Sequence, residues 1–322
     1  MNFLVTGGAG FIGSHITERL LKEGHSVCVL DNFSSGREEN LKFASGLSAA
    51  SYALIKGDIR NYADCLRAAS DVDFCLHQAA LRSVPKSLFD PYAYNQVNID
   101  GTLNMLRACR EAKVSRFVLA SSSSIYGDTD IFPQEEGHLP RPISPYALSK
   151  IAGEHYCRVF ASNYGLQCVA LRYFNVFGPR QALDDEYSVV IPKFITAMLA
   201  DEPPPVHGDG RQSRDFTYID NVVQANILSA TKEGQQGFAA FNVACGEDMS
   251  ILSLVDVLNK IMGKDIAPVF EPTRPGDVRR TLADIGRIKS TLDYSPAVDF
   301  EQGLRKTVEW FRQKDKQGVQ DG

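Results

Sequence analysis

Thr6-Gly7-Gly8-Ala9-Gly10-Phe11-Ile12-Gly13 is the stretch on which the fold turns. It follows the apolar run Phe3-Leu4-Val5 and opens an amphipathic segment, Phe11 to Glu23, which Gly24 stops just past a helix end. Glycines between a strand and a helix let the backbone turn tightly. They also let it approach a pyrophosphate, which sits on unpaired N–H groups at the helix N-terminus. A second apolar run, Ser26 to Leu30, ends at Asp31, 18 residues beyond Gly13. An acid there accepts both hydroxyls of an adenosine ribose and repels a 2′-phosphate. Asn32 follows with no adjacent arginine, so NAD is expected rather than NADP.

Outward from this loop, Ala53–Lys56, Phe74–His77, Phe117–Ala120 and Cys168–Arg172 read as further strands. Helical patterns lie between them, near 61–70, 92–112 and 146–164. Strands separated by helices predict an α/β fold of Rossmann type, a parallel sheet with helices on both faces. Beyond Gly178, prolines at 179, 192, 203–205, 268, 272, 275 and 296 cut the chain into short pieces. Phe216–Ala230 and Ala240–Val243 return to the earlier style. The expected division is an NAD-binding domain of 1-175 and 216-250. A smaller, discontinuous α/β lobe takes 176-215 and 251-322, and the polar tail from Gln313 is expected to fray.

Composition sets the outer limits. The chain has 322 residues, 44% hydrophobic and 23% charged, which excludes disordered and fibrous classes. Lys and Arg total 34 against 39 Asp and Glu, a formal charge of -5, so a nucleic-acid partner is not expected. No apolar run is long enough to span a membrane, and the first residues lack the features of a signal sequence. The seven cysteines are scattered, with no Cys-x-x-Cys pair, which suits reduced thiols in a cytoplasm and offers no metal site.

Ser144-Pro145-Tyr146-Ala147-Leu148-Ser149-Lys150 places Tyr146 and Lys150 four apart, on one face of a helix whose first turn Pro145 marks. A nearby ammonium stabilises phenolate, which makes Tyr146 a candidate general base or acid for a sugar hydroxyl. Ser121 to Ser124 follow a strand at the carboxyl edge of the sheet, where ligands bind in such folds. Asp58 ends the third strand, placed either to accept an adenine amino group or to cap the next helix.

Together these pieces resemble the extended short-chain dehydrogenase/reductase family, and within it the nucleotide-sugar 4-epimerases. The likeness also rests on His77-Gln78-Ala79-Ala80, Ser122…Tyr126-Gly127, Arg172-Tyr173-Phe174-Asn175-Val176-Phe177-Gly178-Pro179, Gly208-Asp209-Gly210…Arg214-Asp215-Phe216 and Arg274-Pro275-Gly276-Asp277. The resemblance implies a triad of Ser122, Tyr146 and Lys150. Tyr146 would take the proton of the sugar 4-hydroxyl as hydride passes to NAD. Lys150 would hold the nicotinamide ribose and keep Tyr146 acidic. It further implies a cofactor site of Gly7, Gly10, Phe11, Ile12 and Gly13 with Asp31, Asn32, Asp58 and Ile59. Gln78, Ala79, Ala80, Asn98 and Tyr173 complete that site.

For a UDP-sugar the resemblance implies Arg214 and Arg274 on the diphosphate, Asp277 on the uridine ribose and Asn175 facing diphosphate and sugar. The backbone of Val206-His207-Gly208 would meet the uracil. Arg82, Ser83, Ser122, Ser123, Gln181, Val190 and Thr281 would complete the pocket. Dehydratases of the family carry Asp-Glu where this chain has Ser123 and Ser124, and decarboxylases usually a Glu at the latter, which favours epimerisation. Thr281 stands where epimerases selective for non-acetylated sugars have a tyrosine, and Gln181 matches the N-acetylhexosamine group. UDP-GlcNAc/UDP-GalNAc is therefore the expected pair, with UDP-glucose or UDP-hexuronate as alternatives. Arg82 departs from close acetylhexosamine homologues, which have glycine there. It would shrink the pocket, pair with an acidic substrate, or turn outward into a surface ion pair. A homodimer through the helices near 92–112 and 146–164 is also implied.

Overall fold

A computed structural model describes residues 1–48, 51–182, 190–273 and 278–320, with 316–320 described by backbone alone. The glycine loop connects β1 (Asn2–Thr6) to α1 (Phe11–Lys22), and β2 (Ser26–Asp31) follows. The chain continues through β3 (Tyr52–Lys56), α2 (Tyr62–Ala69), β4 (Phe74–His77) and α3 (Val84–Phe89). Next come α4 (Pro91–Tyr94), a π-helical turn (Asn95–Asp100), α5 (Gly101–Glu111), β5 (Arg116–Ser122), α6 (Pro145–Tyr164) and β6 (Gln167–Tyr173). The helical pattern near 92–112 is thus one helical run widened in its middle. That extra backbone lets Asn98 face the end of β4 (below).

The chain then leaves the sheet through β7 (Val176–Phe177), α7 (Val190–Leu199), β8 (Pro205–His207) and β9 (Ser213–Arg214). It comes back along β10 (Thr217–Tyr218), α8 (Ile219–Thr231) and β11 (Phe238–Val243). The remainder is β12 (Met249–Ser250), α9 (Ile251–Met262), β13 (Val269–Glu271), α10 (Gly286–Leu292) and α11 (Phe300–Gln320). The tail expected to fray from Gln313 is helical to Gln320. Gln313 donates to Glu309 at 2.9 Å, and Lys314 reaches Glu39 at 3.4 Å, which ties the last turns to the rest.

Seven parallel strands form the sheet in the order β11-β6-β5-β4-β1-β2-β3. Strand order reverses between β1 and β4, which opens a crevice at their carboxyl ends. One core holds Phe3, Val5, Ile16, Phe174 and the apolar faces of α8 and α9. The other packs α2, α5 and α6 onto the sheet and contains Cys65, Cys75, Cys109, Cys157 and Cys168 as free, buried thiols. Arg116 opens β5 and is buried. It donates to the carbonyls of Ser229, Ala230 and Lys232, and so closes the C-terminal end of α8 against the sheet.

Candidate active site

One cleft of about 1690 Å³ runs along the carboxyl ends of the strands. That exceeds the usual volume of a single small-molecule site and leaves room for two ligands. At its nucleotide end Gly10 precedes α1 without any side-chain cap, so the first N–H groups of the helix face the cleft unpaired. Gly13 is dictated by contact: a Cβ there would lie 2.1 Å from the Gly7 carbonyl oxygen. Asp31 is buried and accepts the N–H of Ala9 at 2.9 Å and of Phe33 at 2.8 Å, one on each oxygen. Burial raises its pKa and those two bonds lower it. Each oxygen keeps a lone pair for a further donor. Gly36 keeps that place open, since a Cβ on it would stand 2.9 and 3.0 Å from the two carboxylate oxygens. The uncapped helix and the open carboxylate fit a dinucleotide. Gly36 had no signal in the sequence beyond being a glycine in a polar loop.

Phe11, Ile12, Asp58, Ile59, Gln78, Ala79 and Ala80 also line the cleft. Asp58 does not cap α2; Asn61 does, accepting from Ala63 N. Asp58 instead holds Arg60 at 2.7 Å and Asn32 at 2.9 Å, and the Arg60 hydrogen bonds bring its carboxyl down to about 2. Tyr173 faces the cleft with its ring. Its hydroxyl donates to Gln78 Oε1 at 3.0 Å and accepts from Asn226 Nδ2 at 2.8 Å. Asn226, unnoticed in the sequence, lies 53 residues from Tyr173 and meets it only in the fold. Asn98 is buried and is not among the residues that line the cleft. Its amide is taken up by both backbone groups of Leu81 and by Ser149, which fixes the chain at the end of β4.

Ser122, Tyr146 and Lys150 come together at the centre of the cleft. The Ser122 hydroxyl oxygen accepts from Ser124 N at 3.1 Å and Ser124 Oγ at 2.9 Å. Its own proton is left to serve the Tyr146 phenol, with which it is hydrogen-bonded. Burial pushes that phenol's pKa up, and the Ser122 bond and the Arg82 charge pull it down. Lys150 donates to the Ala120 carbonyl at 2.8 Å and stands 5.8 Å from the Tyr146 ring centroid. Burial lowers its ammonium to about 8. Beneath the triad, Glu154 on α6 holds Arg172 on β6 through both carboxylate oxygens, at 3.0 and 2.8 Å. Ser121 donates to the same carboxylate at 2.6 Å, so the helix bearing Tyr146 and the strand bearing Ser122 share one buried anchor. Removing one partner of such a pair costs about 3–5 kcal/mol.

The sugar end gathers residues distant in sequence. Ser83, Ser123, Asn175, Gln181, Val190, His207, Arg214 and Thr281 line it, and so does Arg82. Arg82 is exposed and makes no ion pair among the described residues. Asn175, at φ +33°, donates to the Thr281 hydroxyl at 2.8 Å and to the Asp215 carbonyl at 3.0 Å. Gln181 donates to Val176 O at 2.9 Å, and its Oε1 is buried without a partner among the described residues. Arg214 is buried in the wall against the carbonyl of Ser213. Val206 was expected to meet a ligand through its backbone, and its side chain packs inward. Alternation along β8 turns Pro205 and His207 to the cleft and Val206 into the core. Arg274 and Asp277 lie outside the described residues.

The chain is similar to known proteins in sequence and in fold. The family described as "NAD dependent epimerase/dehydratase family" matches residues 3–244. The UDP-glucose 4-epimerase of Mycolicibacterium smegmatis is 39% identical over 317 residues, 98% of this chain and 99% of that one. The UDP-N-acetylglucosamine 4-epimerase of Methanobrevibacter ruminantium M1, solved with UDP-N-acetylmuramic acid, is 42% identical with a TM-score of 0.92. It covers 97% of this chain and 98% of its own. The UDP-glucuronic acid 4-epimerase of Bacillus cereus, solved with UDP-glucuronic acid and NAD, is 36% identical with a TM-score of 0.89, covering 98% and 100%.

Proposed function

The chain belongs to the NAD-dependent epimerase/dehydratase family, and from that premise we propose that it interconverts UDP-GlcNAc and UDP-GalNAc at C4. In coarser terms it is an NAD-dependent UDP-sugar 4-epimerase, acting on a UDP-hexose or UDP-hexuronate. NAD, held by the glycine loop and Asp31, would supply a reversible hydride acceptor for C4. The chain's own residues handle the proton and the geometry. Tyr146 takes the proton of the 4-hydroxyl and gives it back. Ser122 polarises the C4 oxygen, and Lys150 offers its remaining N–H groups to the nicotinamide ribose. Arg214, with Arg274, holds the diphosphate, for which a guanidinium fork is suited. The sugar turns over as a 4-keto intermediate and no net redox change results.

Thr281 carries the choice of sugar. It is buried in the cleft wall, and its hydroxyl is occupied by Asn175, so a small side chain stands where bulk would exclude an acetamido group. A hexuronate is the second reading, favoured by Arg82, which lines the same cleft and makes no ion pair among the described residues. The division into a domain of 1-175 and 216-250 and a lobe of 176-215 and 251-322 belongs to this proposal. So does a homodimer, supported by Leu148 and Val159, which lie 56% and 47% exposed on α6. The free thiols support a cytoplasmic setting. Among the described residues no helix is long and apolar enough to cross a membrane.

Purified protein incubated separately with UDP-GlcNAc, UDP-glucose and UDP-glucuronate, with products resolved by NMR, tests the reading. The expected result is fastest formation of the C4 epimer from UDP-GlcNAc. Faster turnover of glucuronate would replace the acetylated sugar. A 6-deoxy or decarboxylated product would remove epimerisation itself.

A further inference from the structure

Asp215 sits behind the sugar end of the cleft, between Arg214 and Phe216, both of which line it. It is wholly buried. One carboxylate oxygen accepts the N–H of Cys245 at 3.0 Å, and the other accepts those of Gly246 and Ala283 at 3.1 and 3.2 Å. Cys245 and Gly246 lie just beyond β11, the edge strand of the seven-stranded sheet. Ala283 lies two residues past Thr281. One carboxylate thus holds N–H groups from two segments that are far apart in the chain.

The main chain of Asp215 touches the sugar wall directly. Asp215 N donates to Thr281 O at 2.9 Å, and Thr281 N donates to Ser213 O at 3.1 Å. Asn175 Nδ2 donates to Asp215 O at 3.0 Å and to the Thr281 hydroxyl at 2.8 Å. On its other edge the 281–283 segment is paired with Gln134, whose N donates to Leu282 O at 2.7 Å. The carboxylate adds the bonds that tie this segment to the end of the sheet. An ionised carboxylate suits three N–H groups because it has only acceptors. Asparagine would keep one acceptor oxygen and turn an NH2 donor toward a remaining N–H, which is costly in a buried site. No cation pairs with Asp215 among the described residues. The groups acting on it are Cys245 and Glu247 beyond β11 and Tyr294 beyond α10. Burial pushes its carboxyl up to about 7 against the pull of the three N–H bonds.

We propose that Asp215 is the positioning residue of the sugar wall: its buried carboxylate ties the 281–283 segment to the end of β11 and so holds Thr281 and Asn175 where they meet the C2 substituent of the sugar. This rests on the reading of Thr281 as the wall that sorts acetylated from non-acetylated sugars. A pocket that sorts by one small group does so only while its wall is held in place, since a misplacement of about 1 Å can cost roughly 10²-fold.

The test compares kcat/KM for UDP-GlcNAc and for UDP-glucose, using the full-length enzyme with NAD at pH 8, where the Asp215 carboxyl is ionised. Asp215→Asn should lower the ratio of the two about tenfold, mostly through KM for UDP-GlcNAc, with NAD affinity kept. Tyr146 serves both sugars, so its own titration cancels from the ratio. An unchanged ratio, or a loss confined to kcat and equal for both sugars, would overturn the proposal. Should Asp215→Asn not fold, the wild-type enzyme decides. Its ratio should fall as the pH is lowered from 8 to 6 and the carboxyl takes up a proton, and a constant ratio overturns the proposal equally. Thr281→Tyr separates the two readings. If it harms both sugars alike, the wall does not sort them and both readings fall; if it is selective while Asp215→Asn keeps the ratio, only the role of Asp215 falls.

Discussion

At the nucleotide end of the cleft the surfaces offered to a ligand are mostly backbone: the N–H groups opening α1, the glycines around them, and one carboxylate braced by two peptide bonds. At the sugar end they are side chains brought from distant positions, such as Arg82, Asn175, His207 and Thr281. A backbone cradle tolerates most sequence changes but almost no added atom. A side-chain wall accepts added atoms and changes what it binds. The first suits a cofactor common to a family, and the second suits the part in which relatives differ, since they bear the names of glucose, glucuronate and N-acetylglucosamine epimerases.

The sharpest way to break this contrast is Gly13→Ala. One methyl 2.1 Å from the Gly7 carbonyl must rebuild the loop. Losing two N–H bonds to a charged pyrophosphate, at about 1.5–3 kcal/mol each, weakens NAD by roughly 10²–10⁴-fold. Calorimetric titration with NAD measures it, and near-normal affinity would show that the cradle has slack. Thr281→Tyr adds far more atoms with a narrower result. Turnover of UDP-GlcNAc should fall roughly 10–200-fold while UDP-glucose is largely spared. Equal losses on both would mean that the wall does not select.

A smaller effect reads the nucleotide half alone. Burial holds His77 neutral, down to about 3, between Thr6 and Thr102, and burial first, then Arg180, brings His15 down to about 4. In the unfolded chain both titrate near 6.5. Below that pH the unfolded state binds more protons, so the stabilising contribution is complete above 6.5. It declines toward 4 and 3 by about 1.4 kcal/mol per pH unit for each histidine. Thermal or urea unfolding from pH 7 to 5 should show this slope, and His77→Asn should make it shallower by one proton. Identical slopes would place the acid sensitivity elsewhere.

Much of the nucleotide end was legible because its signals are contiguous. Apolar runs, a glycine loop and an acid at a strand end declare strand, turn and helix within a few dozen residues. The Tyr146–Lys150 spacing is likewise one helical turn. What escaped depends on packing between segments. Asn98 is an ordinary polar residue in a helical pattern until the end of β4 lies across it. Val206 and His207 are adjacent in sequence, and only the direction of a three-residue strand separates core from cleft. Gln181 was picked out, but its buried oxygen, without a partner among the described residues, becomes visible only once its amide is tied to β7.

The outermost strand beside β6 is β11, which the chain supplies only after its excursion through β7, α7, β8 and β9. During synthesis, β6 therefore waits with one open edge until Phe238 has emerged. Such an edge is a template for another chain. The nascent protein is consequently most vulnerable to sticking to its neighbours in the interval between Tyr173 and Phe238. Slow codons there should lower yield more than slow codons near the C-terminus.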